Sequence, residues 1–220
     1  MDYQELSFAA RLLNPSTDQP SVKVRRQSLA NIPGNNANGH LTHFFGTENC
    51  RQLSRPEVLT LSHGNNIELF ALSVLFWGFP TNQKGVCNKA FQNWDTLLAW
   101  IRILRRNRQK TLQQFEEMIP MMHRGMRGLG ISTLSKYLYF TGCSINGYPC
   151  LILDNQVAKG IENLTGNEFN DLRGAVCNNH HRYYRNYPSY LEAMHNLSSN
   201  IGVPAQNLEY VLWLAAKKNL

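Results

Sequence analysis

Apolar residues recur every three or four positions along most of the chain, while strand-like alternation of apolar and polar residues is scarce. The longest apolar run, IELFALSVLFWGF over 67–79, covers nearly the whole circumference of a helix, which predicts a helix buried at the centre of the domain. In WDTLLAWIRILRR over 94–106 the apolar residues share one face, which predicts an amphipathic helix against that core. The pattern therefore predicts an all-α bundle of about ten helices.

Capping and turn signals set the expected boundaries of these elements. Ser54 and Glu57 form a capping box with an early proline, and Asn65 and Asn93 stand where the next helices should begin. The Gly- and Asn-rich stretch 31–51 is expected to be a long loop, as is 146–149. Further helices are predicted over 3–13, 22–29, 111–122, 132–141, a segment starting just after 154, 187–200 and 204–217.

A length of 220 residues suits one large domain or two small lobes that share a groove. We predict a single domain over 1–220. It would comprise N-terminal helices and a loop over 1–53, central helices over 54–165 with a hairpin at 125–133, and C-terminal helices over 166–220.

The chain carries 22 Lys and Arg against 15 Asp and Glu, a net charge of +7. Such a surplus favours nucleic acid as a partner, although a merely basic soluble protein would have the same composition. No run of 18 apolar residues and no apolar N-terminal segment occurs, so we expect a cytoplasmic protein without a membrane span. Five scattered cysteines and the pair His180 and His181 lack partners at metal-binding spacing, so neither a metal nor another cofactor is expected.

Two features carry candidate chemistry. Gly128 and Gly130 separate two predicted helices, and such a turn lets the backbone N–H groups of the second helix approach a phosphate. Glycines also occur in helix turns that bind nothing. Asp154 stands 24 residues after Gly130, follows an apolar Leu-Ile-Leu and opens a new helix, where the simplest role of an aspartate is to cap the helix.

Together, the glycine hairpin and the Ile152–Val157 segment (ILDNQV) resemble the helix-hairpin-helix DNA glycosylases, which include endonuclease III, adenine glycosylase and 8-oxoguanine glycosylase. The resemblance extends over about 55–217 and is specific only within 125–160. It implies an 8-oxoguanine-glycosylase-like fold with two helical lobes and a DNA-binding groove between them. It also implies a monomer that binds duplex DNA with a flipped modified base.

The resemblance further implies that Asp154 is the catalytic carboxylate, because base loss leaves positive charge on the deoxyribose that a carboxylate stabilises. Bifunctional relatives carry a nucleophilic lysine two residues after the second hairpin glycine, where this chain has Ser132. We therefore expect a monofunctional enzyme that uses water. Lys136, one helical turn further on, could contact the base or a phosphate, act as a displaced nucleophile, or be an exposed lysine.

The same resemblance assigns candidate DNA contacts. Phosphate contacts are expected from the hairpin and its flanks: Arg124, Arg127, Gly128, Gly130, Ile131, Ser132 and Thr133. Base-pocket or wedge residues are expected to be Trp77, Phe79, Asn82, Asn155 and His181, although Trp77 and Phe79 could equally belong to the core. Basic residues at 102, 105, 106, 108 and 110 could form only the solvated face of a helix.

The expected function is excision of a modified base by cleavage of its N-glycosidic bond, which leaves an abasic site. Because the lysine is missing and 31–51 could offer polar contacts, we favour a hypermodified base of phage DNA, removed in antiviral defence. Repair of oxidised purines such as 8-oxoguanine is the alternative. The absence of Glu from 69–79 argues against mismatch-specific adenine excision. A non-catalytic hairpin module that binds DNA, or a basic helical protein that binds RNA, would be the other classes.

Overall fold

A computed structural model describes residues 1–30, 32, 37–81, 85–176 and 183–218. Within them the all-α class is confirmed, with thirteen α-helices rather than the ten expected. The helices are α1 (Tyr3–Leu12), α2 (Pro15–Asp18), α3 (Ala37–Phe45), α4 (Arg55–Leu61), α5 (Ile67–Gly78), α6 (Val86–Gln92), α7 (Trp94–Arg106), α8 (Leu112–Arg124), α9 (Ile131–Phe140), α10 (Asn155–Glu162), α11 (Asn170–Val176), α12 (Tyr183–Ile201) and α13 (Ala205–Lys218). Short strands are β1 (Val22–Arg25), β2 (Cys50–Leu53), β3 (Gln109–Lys110), β4 (Ser144–Ile145) and β5 (Tyr148–Pro149), and 3-10 helices cover Arg26–Leu29 and Asn167–Phe169.

Helix α5 is the centre of the core, as its all-round apolar sequence predicted. The Asn66 side chain caps it by accepting the N–H of Leu69 at 2.9 Å, and every residue from Phe70 to Trp77 is buried. It packs against α3, α4, α7 and α9. The phenol of Tyr137 in α9 donates to the carbonyl of Ala71 at 2.9 Å, so a buried hydrogen bond fixes α9 against this central helix. Because α9 follows the glycine hairpin, the hairpin is anchored to the rigid core.

The prediction of a helix over 22–29 was wrong. Strand β1 occupies the first half and pairs antiparallel with β2, and a 3-10 turn follows over Arg26–Leu29. Val24 is fully buried, whereas its neighbours Lys23 and Arg25 are exposed. That alternation is the period of two typical of a strand with one face on a core.

The long loop predicted over 31–51 was also wrong, because α3 and the start of β2 lie within it. Although Asn and Gly dominate this stretch, Leu41, Phe44 and Phe45 recur at helical spacing and are buried. At 146–149 the expected loop is a tight hairpin between β4 and β5. Asn146 and Gly147 both have positive φ there, the backbone that an Asn-Gly turn adopts readily. Within the described ranges, no helix is long and apolar enough to cross a membrane.

Candidate active site

Two buried tyrosines of α12 hold the backbone that leads to the candidate carboxylate. The phenol of Tyr187 donates to the carbonyl of Leu151 at 2.6 Å, and that of Tyr190 donates to the carbonyl of Ile152 at 3.0 Å. Both tyrosines are fully buried. They lie three residues apart on one helix and therefore reach neighbouring peptide groups. The extended segment 150–153 is thus fastened to α12 although it belongs to no regular element.

The opposite edge of the same segment is held by α9 and α13. The N–H of Ile152 donates to a carboxylate oxygen of Glu209 at 2.8 Å, and the N–H of Leu153 donates to the hydroxyl of Ser135 at 3.0 Å. Three helices therefore fix the backbone immediately before Asp154. A side chain supported in this way keeps a defined position, which an active-site group requires.

Asp154 caps α10, as the sequence predicted. Its Oδ1 accepts the N–H groups of Gln156 at 3.0 Å and Val157 at 3.1 Å. Its Oδ2 lies 3.2 Å from the Nζ of Lys136. One oxygen thus serves the helix and the other forms an ion pair.

Lys136 is buried, with 3% of its surface exposed, so it is not the exposed lysine that the sequence left open. Its Nζ also donates to the carbonyl of Ser132 at 2.8 Å and lies 5.3 Å from the ring centre of Phe79. Gly78 provides room for the lysine stem, because a Cβ at that position would come within 2.8 Å of its Cδ. The ammonium group therefore lies in the interior beside Asp154.

The electrostatics of this pair keep the carboxylate charged. Burial by itself raises the pKa of Asp154, but the Lys136 charge and the N–H groups of Val157 and Gln156 outweigh it. The net result is a pKa below the usual range of an aspartate, because each of these contacts favours the ionised form. Asp154 is consequently an anion at neutral pH.

Asp154 and Lys136 open into a cavity of about 560 Å³. Its wall is formed by α4, α5, α6, α9, α10 and α13, together with the start of β1 and the residue after α2. The predicted site residues that line it are Trp77, Phe79, Ser132, Lys136, Asp154 and Asn155. The structure thus brings the two candidate catalytic residues together with three of the expected base-pocket residues.

The glycine hairpin joins α8 to α9 and forms a separate surface beside the cavity. Gly128 has a φ of +86°, which favours glycine, and a Cβ there would also displace the side chain of Lys89, whose Cδ would lie 2.8 Å away. Gly130 precedes α9 without any side-chain cap, and a Cβ added to it would meet nothing within 4 Å. The N–H of Thr133 already donates to the carbonyl of Gly130 at 2.9 Å, so the N–H groups of Ile131 and Ser132 are the ones at this end of α9 that a helix leaves without an internal partner.

The side chains that flank the glycine hairpin fall into an exposed group and a buried group. Arg124 and Arg127 are exposed next to the hairpin, as phosphate contacts would be. Ile131 and Thr133 are buried, so that only their backbone could meet DNA. The hairpin itself is fastened by the Asn93 side chain, which donates to the carbonyl of Arg127 at 3.2 Å instead of capping α7 as expected.

Comparison with known families identifies the chain. The sequence model of a family described as "Putative 8-oxoguanine DNA glycosylase OGG-like protein" matches residues 15–213. The chain belongs to this family. At the family level it is a DNA glycosylase whose partner is DNA, which confirms the resemblance seen in the sequence. Searches of curated proteins and of solved structures found no match.

In this OGG-like glycosylase, the basic residues over 102–110, which lie in α7 and just after it, are partly structural. Arg105 donates to two backbone carbonyls near the end of α4 and lies over the ring of Phe70. Lys110 is buried and donates to the carbonyl of a residue three positions earlier. Arg102 and Arg106 are exposed and remain candidates for the solvated face. Of the remaining predictions, Asn82 and His181 lie outside the described residues.

Sequence reasoning missed several cavity residues of the glycosylase. Arg55 and Glu209 form a buried ion pair of 2.9 Å in its wall, and Gln19, Trp213 and Lys217 also line it. A signal for Glu209 was present, because a charged residue stands among the apolar positions of α13. Arg55 gave no such signal, since the first turn of a capped helix is an ordinary place for a charge.

Proposed function

We propose that the protein excises a modified base from DNA by cleaving the N-glycosidic bond, with Asp154 as the catalytic carboxylate. The observation that carries the proposal is the ionised Asp154 at the wall of a cavity beside an open glycine hairpin. A base that enters the cavity would leave its deoxyribose near this anion. Positive charge on the sugar in the transition state would then be stabilised by a carboxylate already fixed in place.

Water is the proposed nucleophile, so that the product is an intact abasic site. Lys136 serves as the counter-charge of the ionised Asp154 and also donates to the carbonyl of Ser132. In that ion pair its nitrogen is an ammonium group, which has no lone pair for attack. In this scheme the water oxygen bonds to C1′, the glycosidic electron pair leaves with the base, and the water proton passes to Asp154 or to the base.

A second candidate is attack by Lys136 itself, favoured by its 3.2 Å distance from Asp154 inside the cavity. Lys136 would first lose a proton to Asp154, after which its amine would bond to C1′ while the base departs with the glycosidic electrons. The ring oxygen O4′ would then take the proton from Asp154 and leave C1′, and the protonated imine formed in this way would allow strand cleavage at the abasic site.

Reduction with borohydride separates these two nucleophiles. Because we assign the attack to water, the protein incubated with substrate DNA and borohydride is expected to form no covalent adduct. The measurement is a denaturing gel with mass spectrometry of the protein. A covalent adduct that maps to Lys136 and disappears in Lys136→Met would overturn the assignment to water and establish the amine as the nucleophile.

For the substrate we propose a hypermodified base of phage DNA, removed in antiviral defence. Its support is the cavity volume of about 560 Å³. An enclosed apolar cavity of about 150 Å³ suffices for a benzene ring, so this one leaves space for a base together with a substituent. The family description instead favours 8-oxoguanine, which is the alternative substrate.

DNA binding through the hairpin predicts a selective effect of Gly130→Ala. The added methyl meets nothing in the free protein, where the φ of Gly130 is −88°. Alanine is a poorer N-cap than glycine, so the free energy of unfolding should fall by no more than about 1 kcal/mol. A phosphate held by the first N–H groups of α9 would be pushed away, and affinity for duplex DNA should fall by about tenfold. Fluorescence anisotropy with a labelled duplex gives the affinity, and urea unfolding gives the stability.

Gly39→Ala is the matched control for that variant, because Gly39 lies in α3 and also has nothing within 4 Å. It should leave DNA affinity unchanged. Equal affinities of the two variants would show that the hairpin does not approach the DNA backbone.

A further inference from the structure

Arg55 is held rigidly in the wall of the cavity by contacts on nearly all sides. Its Nε donates to Gln19 at 2.7 Å and one terminal nitrogen, Nη2, donates to Glu209 at 2.9 Å. Its guanidinium carbon lies 5.5 Å from the ring centre of Trp77 and 4.9 Å from that of Tyr139. With 3% of the residue exposed, the planar group has no room for another orientation.

Within the described part of the chain, the remaining terminal nitrogen, Nη1, makes no hydrogen bond of good geometry, although the hydroxyl of Tyr139 lies close enough to interact with the guanidinium. The indole Nε1 of Trp77 is likewise buried without a hydrogen-bond partner. Both residues line the cavity that Asp154 enters, and their side chains contact each other. Buried donors are nearly always paired in native proteins, because an unpaired buried donor has lost its hydrogen bonds to water and gained none within the protein. Two unpaired donors in one wall therefore indicate a place for an acceptor that the free protein does not supply.

The charge balance defines the kind of acceptor. The Arg55 guanidinium is already neutralised by Glu209, as Lys136 is by Asp154. Lys217 also lines the cavity and holds its ammonium group 4.1 Å from the ring centre of Trp213. An additional anion at Arg55 would nevertheless meet the Glu209 carboxylate that already neutralises the guanidinium. A neutral oxygen or ring nitrogen would gain two hydrogen bonds without disturbing either ion pair.

We propose that Arg55 Nη1 and Trp77 Nε1 together recognise a ring carbonyl oxygen of the extruded base. This rests on the proposed excision function and deepens it, since it names the chemical group by which the cavity selects its base. Both nitrogens are shielded from solvent in the free protein, so the entering base has to displace a neighbouring side chain. Gln19, which is half-exposed and accepts a hydrogen bond from Arg55 Nε, lines the same cavity and has room to move. A base with an amino group at this position would present a donor to two donors and be rejected.

The test measures how much the base itself adds to DNA affinity. Duplexes would carry one 2′-fluoroarabino nucleotide, which resists excision, with 8-oxoguanine, hypoxanthine or 5-hydroxymethyluracil as its base. Each dissociation constant is divided by that of the same duplex with a tetrahydrofuran abasic analogue. The wild-type protein should bind at least one base-bearing duplex more tightly than the analogue. No preference for any of them would overturn the proposal.

Trp77→Phe removes the indole donor and keeps an aromatic ring, and Arg55→Lys keeps the charge beside Glu209 while removing the free Nη1. Each should reduce the preference for the base by about fivefold to tenfold, with little change in affinity for the abasic analogue. A purely structural role would instead change the urea midpoint and both affinities together. That pattern would overturn the proposal.

The chain provides a control for each variant. Trp100 and Arg105 also have a buried unpaired nitrogen, but neither lines the cavity. Trp100→Phe and Arg105→Lys should therefore leave the preference for the base unchanged. Equal losses in a control and its matched variant would refute recognition by Arg55 and Trp77. Because binding is measured without base release, failure of the excision function would be seen separately, as the absence of free base.

Discussion

Asp154→Asn is expected to slow base release by about 10³-fold, because it removes the carboxylate that we propose stabilises the sugar cation. The variant should still bind duplex DNA, since the hairpin and its arginines are unaffected. Asn caps a helix as well as Asp does, so α10 should keep its first turn. Single-turnover release of the base gives the rate, and anisotropy gives the affinity.

The matched control is Asp2→Asn. Asp2 caps α1 by accepting the N–H of Glu5 at 2.9 Å, just as Asp154 caps α10, but it lies outside the cavity. Its replacement should not change the rate. Full activity of Asp154→Asn would show that Asp154 only caps α10. Absence of base release from the unchanged protein would instead favour a non-catalytic DNA-binding module.

Gly160→Ala is expected to lower the free energy of unfolding by about 3 kcal/mol, near the upper end for an overpacked interior. Gly160 lies in α10 where this helix crosses α13, and a Cβ would overlap the carbonyl oxygen of Leu212 and lie 2.7 Å from its carbonyl carbon. A backbone group cannot turn away as a side chain would, so the two helices must separate. Since Asp154 caps α10 and α13 carries Glu209, base release should fall as well.

Gly174→Ala in α11 provides the comparison, because nothing lies within 4 Å of its added methyl. That substitution should raise stability by about 0.5–1 kcal/mol through the helix preference of alanine. Urea unfolding of both variants gives the two free energies. If Gly160→Ala were as stable as the parent, the close packing of α10 on α13 would be contradicted.

The local sequence pattern was sufficient to predict the central elements of the fold. The apolar run of α5, the capping box at Ser54 and the helix start at Asp154 each depend on neighbours within four residues. The same local reasoning wrongly predicted a loop over 31–51. The many Asn and Gly residues there suggested a loop, although Leu41, Phe44 and Phe45 have helical spacing and are buried. Composition describes a whole window, whereas a helix needs only a few well-spaced apolar contacts.

The site depended on contacts that no local pattern contains. Arg55 and Glu209 are 154 positions apart, and their pairing follows from the packing of α2 against both α4 and α13. The burial of Lys136 depends on the missing side chain at Gly78 in another helix. Asp154 could be proposed from the sequence because the helix that it caps and the glycine hairpin both lie within about 30 residues of it. Its counter-charge, Lys136, could be assigned only from the tertiary structure.

The most direct test of the account is the release of free base from DNA. The protein would be incubated with duplexes that contain 8-oxoguanine and with phage DNA that carries hypermodified bases, and the released bases would be identified by mass spectrometry while abasic sites are counted. We predict that one of these DNAs yields a free base and an equal number of abasic sites. Release of no base from any of them would contradict the claim that the cavity at Asp154 excises a base.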